Sequence, residues 1–302
     1  MKTRSFPVSD RWSLHSYYTL CPYAPDGSGR ILAAGADLDK GTGEVIVLSA
    51  DGIVLDRFGG YPLNDAFYHT GWWQTWSPDS KSIYYQAGSL NEPKIGKRDL
   101  ITGTDAFIDG DMEGAPPTGE PILSGLLGML YAAGYGDGRY KPDLAPVPFQ
   151  ARDRHGIFQH QFPNQAPALK LSVEQILRSS AERERLTASD RELKNRLGNE
   201  DGLTLMAYCV RWSPDGSRLL FFFGNHCVVK ERGEPKITYV MTADRGMDHL
   251  YVAMDLSFGR KGVHWSWQPD NEHLIGYGPH PEDPARTCLA EVRYDGTGYR
   301  ML

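Results

Sequence analysis

The sequence predicts an all-β chain of repeated four-stranded sheets, a β-propeller. Three observations predict it: a turn element that occurs four times, a strand-and-turn signature after each copy, and a near-constant spacing between copies. The turn element reads aromatic-x-Pro-Asp-turn, at Tyr23 to Gly27, Trp76 to Ser80, Trp212 to Gly216 and Trp267 to Asn271. Proline presets φ and ends one strand, and Asp followed by Gly, Ser or Asn makes a tight reversal into the next. Short β-type runs follow each copy, at Arg30 to Ala33, Ser82 to Gln86, Arg218 to Phe223 and His273 to Tyr277.

The second signature is an alternating strand closing in a Gly turn, at Glu44 to Gly52, Lys97 to Gly103, Ile237 to Gly246 and Leu289 to Gly296. Pro25 and Pro78 lie 53 residues apart, and Pro214 and Pro269 lie 55 apart. A unit of that length holds one four-stranded blade with its loops. The 136 residues between Pro78 and Pro214 leave room for one more blade and an insertion. Gly128 to Tyr135, Gly156 to Phe162 and Ala168 to Leu171 read as strands of that blade. The insertion reads as two helices, about Val173 to Ala181 and Asp190 to Leu197. Ser172 with Gln175 and Ser189 with Glu192 fit capping boxes, and Gly198 is placed to end the second helix. Five blades are expected in a single domain over residues 1–302, either as a five-bladed ring or as an open one short of blades.

Composition narrows the function classes. Against 38 Asp and Glu, 32 Lys and Arg give a net charge of −6, and no basic block suggests a nucleic-acid partner. Apolar runs such as Leu219 to Phe223 stop at five residues, where a membrane-spanning helix needs about 20. Met1 to Trp12 holds no apolar stretch of a secretory signal, so a cytoplasmic protein is expected. Cys21, Cys209, Cys227 and Cys288 are far apart, form no C-x-x-C pair, and read as free thiols. Phosphate-loop, nucleophile-elbow, zinc-protease and dinucleotide motifs do not occur.

The elements His15-Ser-Tyr-Tyr18, Gly71-Trp-Trp-Gln-Thr-Trp76 and His264-x-x-Trp267-x-Pro269-Asp270 resemble the oligogalacturonate lyase family and its propeller relatives. The resemblance covers most of the chain and is carried mainly by the propeller repeats. Members close as seven-bladed rings, so this chain resembles one lacking about two. What the resemblance implies is β-elimination on a uronic acid, assisted by a divalent cation, typically manganese, that histidines and a glutamine hold. A cation on the C6 carboxylate would stabilise the enolate as a nearby base removes the C5 proton.

On that resemblance His264 is the leading metal ligand and His226 the second. The slot matching His264 in the preceding blade holds Cys209, and the strand after Pro214 carries Phe223 before its displaced His226. His15 and His69 are the expected catalytic bases. Tyr18, Trp72, Gln74, Trp265 and Arg211 are the expected substrate contacts, since flat aromatic faces suit sugar rings. His15, His69, Trp72, Gln74 and His264 are expected on the innermost strand of their blades, where period-two alternation turns His69 away from Trp72 and Gln74. The expected partner is a uronate oligosaccharide, with self-association if the ring is incomplete. The rival expectation is a non-catalytic propeller that binds a glycan or a protein.

Overall fold

The computed structural model describes residues 11–63, 70–89, 93–125, 152–200, 202–225, 232–257 and 264–302. The expected strand at Gly128 to Tyr135, together with His69, His226 and Cys227, lies outside them. The chain forms two compact units. One is Met1–Ile122 with His160–Pro167, and the other is Leu123–Gln159 with Ala168–Leu302.

The first unit contains two four-stranded antiparallel blades, each a meander in sequence order. Its first blade is β1 (Trp12–Leu14), β2 (Ile31–Asp37), β3 (Thr42–Leu48) and β4 (Val54–Pro62). The second is β5 (Thr75–Trp76), β6 (Ser82–Gly88), β7 (Pro93–Asp99) and β8 (Thr104–Asp109). Alternating small and branched residues from both blades, including Ala34, Val45, Val47, Ile83 and Tyr85, bury one core with Trp72 and Trp76. Period-two patterning against a neighbouring sheet accounts for it.

The third sheet is β9 (Ile122–Gly125), β10 (Gly156–His160) and β11 (Ala168–Ser172), ordered β11-β10-β9. It belongs to the second unit except for the strand-end residues Ile122 and His160. The fourth blade is β12 (Met206–Trp212), β13 (Arg218–Gly224), β14 (Thr238–Asp244) and β15 (Leu250–Asp255). The fifth is β16 (Ser266–Trp267), β17 (His273–His280), β18 (Asp283–Arg293) and β19 (Arg300–Met301). Both are meanders in sequence order, as in the first unit.

The repeated turn has one conformation wherever it occurs. Its fifth residue is left-handed in all four copies: Gly27 (φ 73°), Ser80 (φ 56°), Gly216 (φ 69°) and Asn271 (φ 61°). Glycine and asparagine tolerate that region, which explains the choice at three of the four. Ser80 and Asn271 are held there by the adjoining blade. Ser80 Oγ accepts from Asp26 N–H at 3.1 Å, and Asn271 Oδ1 accepts from Asp215 N–H at 2.9 Å.

These bonds belong to a joint built twice. Trp76 Nε1 donates to the Pro22 carbonyl at 2.8 Å, and Trp267 Nε1 donates to the Arg211 carbonyl at 3.2 Å. Arg30 and Arg218 each donate to the carbonyl of the left-handed residue, Ser80 at 3.0 Å and Asn271 at 3.1 Å. The repeat tryptophan thus fastens its blade to the one before it. The Trp212 indole N–H has no partner among the described residues.

The insertion forms α1 (Val173–Ser179) and α2 (Arg183–Leu197). The capping box at Ser172 and Gln175 is complete, and Gly198 ends α2 in the left-handed region, its N–H donating to the Lys194 carbonyl. Ser189, expected to cap the second helix, instead lies inside it, because α2 starts seven residues earlier than the sequence pattern placed it. Leu186, Asp190 and Leu193 are buried at helical spacing, so packing extends the helix past a local capping signal. No described helix is long and apolar enough to cross a membrane.

Candidate functional site

In the first unit the segment before β5 departs from a regular strand. Trp73 is left-handed at φ 52°, which breaks the alternation expected to orient Trp72 and Gln74. Cys209, at the matching repeat position in β12, is left-handed too (φ 54°), within a bulge between Tyr208 and Arg211. β5 and β16 are only two residues long, and Trp72, Gln74 and His264 precede them outside regular strand.

The expected site residues divide between the units. In the first, Ser16 Oγ donates to the Thr70 carbonyl at 3.1 Å, and Tyr17 packs on Tyr18 and Trp73 with ring centroids 4.5 and 4.9 Å away. These contacts bring the loop carrying His15 and Tyr18 onto the segment carrying Trp72 and Gln74. His15 is exposed, and its Nε2 donates to the Leu20 carbonyl at 3.1 Å. Tyr18 is also exposed. Trp72 is enclosed, its ring over Gly43, where an added Cβ would meet the indole at 2.3 Å. Gln74 is buried as well. Its Oε1 accepts from Trp72 N–H at 3.0 Å, while its Nε2 has no partner among the described residues.

In the second unit Arg211 and Trp265 come together, but as packing. Both are buried; the Arg211 guanidinium donates to the Trp265 carbonyl and lies 5.5 Å from the centroid of the Phe222 ring. Trp265 Nε1 donates to the Tyr277 carbonyl at 3.0 Å, and its ring rests on Gly276, where a Cβ would come within 2.5 Å. Neither indole face is open to a sugar ring. His264 is exposed beside them. A manganese ion held by several side chains does not fit the described residues, among which no three His, Cys, Asp or Glu side chains converge.

Two open clefts lie elsewhere. In the second unit Arg152, Asp153, Glu174, Arg178, Lys194, Glu200 and Gly202 line one of about 350 Å³. Its charges neutralise one another: Arg178 with Glu174 at 2.9 Å, Lys194 with Glu200 at 3.6 Å, and Arg152 with Asp190 at 2.5 Å. Burial would raise the Asp190 carboxyl, yet hydrogen bonds from Arg152 and the Leu203 N–H, with the charges of Arg152 and Lys194, hold it below its ordinary value. Little unspent charge is left for a ligand.

The cleft in the first unit is of another kind. Tyr61, Gly88, Lys94, Phe107 and Gln165 line an open groove of about 310 Å³. Phe107 is 39% exposed and meets Tyr61 edge to face at 6.5 Å. The Lys94 ammonium pairs with Asp109, so donors and an acceptor stand at the rim with no net charge. Burial raises the Tyr61 hydroxyl above its ordinary value, and it stays protonated at 3.4 Å from Tyr85 OH. Sequence reading missed this groove. One signal was available: Phe107 sits on β8 at the parity opposite the buried Ile108, an aromatic facing solvent on an outermost strand.

His160, on β10 beside the groove-bearing blade, is a buried base with no open face. Burial pushes its imidazole down to about 4, opposed by Nδ1 donating to the Asp109 carbonyl at 3.3 Å. It packs so closely on Gly110 that a Cβ there would stand 2.4 Å from the ring. The sign follows from the lowered folded value. Above pH 6.5 both states are neutral and stability is complete; as pH falls from about 6.5 to about 4 the unfolded chain takes up a proton that the folded one refuses. Urea titrations at pH 7 and pH 4 should show a loss of about 3 kcal/mol from this group, absent in His160→Gln. Equal pH slopes in both proteins would contradict the burial.

Four-stranded meander blades repeated along the chain, joined tryptophan to backbone, define a β-propeller. Among solved structures, TolB from Acinetobacter baumannii superposes with a TM-score of 0.50 at 14% identity, over 96% of this chain and 53% of that one. This chain therefore spans about half that protein's length. An oligogalacturonate lyase in complex with manganese aligns at TM-score 0.45 and 13% identity, over 97% of this chain and 78% of its own. Another, from Vibrio parahaemolyticus, aligns at 0.47 and 12%, over 98% and 80%. No family model and no curated protein sequence matches the chain. The TolB likeness speaks for the fold and leaves activity open.

Proposed function

We propose that this chain is a non-catalytic β-propeller that binds a short, uncharged glycan in the groove of the first unit. The observation that carries the reading is the make-up of that groove: an exposed phenylalanine ring against a tyrosine edge, with an amide and a neutral Lys–Asp pair at the rim. Aromatic faces take the C–H side of a sugar, and paired donors and acceptors take its hydroxyls. Its volume is near the lower end of small-ligand sites, the size of one or two sugar units. The burial of Trp72, Trp265 and Arg211 supports the same reading, because those side chains are occupied in packing.

Isothermal titration against a panel of neutral and uronic oligosaccharides tests it. Phe107→Ala should weaken the neutral glycan that binds best by roughly 10-fold, as expected for an aromatic contact worth about 1.4 kcal/mol. No binding across the panel, or binding indifferent to Phe107→Ala, would reject the reading.

One observation favours a second reading, a uronate lyase of the oligogalacturonate type. Gln74 carries a buried amide N–H₂ with no partner among the described residues, a desolvated donor that costs about 1–3 kcal/mol until an acceptor reaches it. A substrate carboxylate or hydroxyl would supply that acceptor, with exposed His15 a candidate base in the same unit. The test is ultraviolet absorbance of a conjugated alkene on oligogalacturonides and glucuronides, with and without manganese. Turnover that Gln74→Ala abolishes would replace the binding reading; silence on every uronate removes the lyase.

A further inference from the structure

We infer that Glu120 is the positioning residue of the first-unit groove, holding in place the turn that supplies its Gln165 wall; the ligand it serves rests on the glycan reading above. The groove is built from separate stretches of chain. Lys94 and Phe107 come from β7 and β8, whereas Gln165 comes from the turn between β10 and β11. Whatever fastens that turn to the second blade therefore sets where the Gln165 wall stands.

The turn is braced within itself. Asn164 N–H donates to the Gln161 carbonyl at 2.8 Å, and Gln165 Nε2 donates to the Pro163 carbonyl at 3.5 Å. Gln165 is thus placed by the anchors at the two ends of the turn. At one end Asp109 N–H, on β8, donates to the Gln165 carbonyl at 3.0 Å. At the other, Phe162 N–H donates to Glu120 Oε2 at 2.9 Å.

Glu120 is itself tied to the second blade. Its Oε1 accepts from the Lys97 ammonium at 2.8 Å and from the Tyr84 hydroxyl at 3.1 Å, and Tyr84 and Lys97 are register partners on β6 and β7. Burial, followed by the Glu120 charge, raises the Tyr84 hydroxyl above its ordinary value, so it stays a donor. The Lys97 ammonium also stands 5.3 Å from the centroid of the Tyr84 ring and 5.6 Å from that of Phe162. One carboxylate therefore joins two strands of the blade to the turn, through charge-assisted bonds that are stronger than neutral ones. Glu120 lies ahead of β9 and outside any strand, so its loss should free the turn without unpairing a sheet.

Amide hydrogen exchange read by nuclear magnetic resonance tests the role without any ligand. In Glu120→Ala the Asp109 N–H, which bonds the turn and not Glu120, should exchange roughly 10- to 100-fold faster, the worth of one hydrogen bond to a charged group. Val45 and Ile46 N–H in β3 should keep their rates, since a general loss of stability would speed them too. Glu120→Gln, which keeps an acceptor oxygen for Phe162 N–H, should restore most of the protection. In the ligand arm, isothermal titration with cellobiose, maltose and lactose should show the sugar that binds best weakened several-fold by Glu120→Ala and recovered by Glu120→Gln. Unchanged Asp109 exchange in Glu120→Ala, equal acceleration in β3, or sugar affinity indifferent to Glu120→Ala would each overturn the inference. Failure of all three sugars to bind the unaltered protein would count against the glycan reading, and the Asp109 exchange alone would then decide the role of Glu120.

Discussion

Replacing Glu234 with alanine should lower the unfolding free energy by about 3–5 kcal/mol, the usual loss when one partner of a buried ion pair is removed. Its side chain has 0% exposure and serves four donors. Thr204 N–H and Oγ1 reach it at 2.9 and 2.7 Å, Asn225 Nδ2 at 3.2 Å and Arg232 Nε at 2.7 Å. Alanine leaves the Thr204 N–H at the entrance to β12 without its acceptor and removes the counter-charge of Arg232, whose Nη2 keeps its bond to the Gly202 carbonyl at 2.6 Å. Glu234→Gln keeps the shape and some of the hydrogen bonds, and should fall between the two. Urea denaturation followed by far-ultraviolet circular dichroism measures both. A loss below about 1 kcal/mol in Glu234→Ala would mean that water reaches the carboxylate, because solvated pairs contribute no more than that.

Trp265→Ala should cost about 3–5 kcal/mol as well, from the lost burial and the cavity left above Gly276. For a chain of this size that corresponds to a fall in melting temperature on the order of 10 °C. The converse change, Gly276→Ala, should cost about 1–3 kcal/mol by overpacking, since its Cβ has no room beneath the indole. Calorimetry reads both. The outcome also separates a core tryptophan from a sugar-stacking one. If Trp265→Ala melted like the unaltered protein and lost only ligand affinity, the ring would be a binding face, as its place in the sequence motif first indicated.

Much of the fold could be read from local chemistry. The four Pro-Asp turns mark where one strand ends and the next begins, and β6, β13 and β17 start at Ser82, Arg218 and His273 as expected. The Ser172 capping box and the Gly198 terminator are likewise interactions within a few residues. The start of α2 was misplaced for the opposite reason. Leu186 and Leu193 are buried in the core of the second unit with β12 and β13 side chains, and that burial outweighs the cap offered at Ser189.

The site was less legible. Trp72, Gln74 and Trp265 stand out in the chain as extra aromatic and amide residues beside the repeat, and nothing local distinguishes a channel-facing indole from a buried one. The deciding neighbours are Gly43 and Gly276, which leave space for each ring. The left-handed turns at Trp73 and Cys209 were equally invisible, since non-glycine residues there depend on surrounding structure to hold them.

The sequence by itself determined the repeat: its period, the turn that reverses each inner hairpin, and the four-stranded meander of the four blades that carry that turn. Those features follow from backbone preference and period-two patterning, which act within one repeat. Only the tertiary structure decided which side chains remain open. It closed Trp72, Trp265 and Arg211 and left Phe107, Tyr277 and Leu289 exposed. Exposure depends on what packs against a residue from far along the chain, and local sequence carries only part of that information, as the parity of Phe107 against Ile108 does.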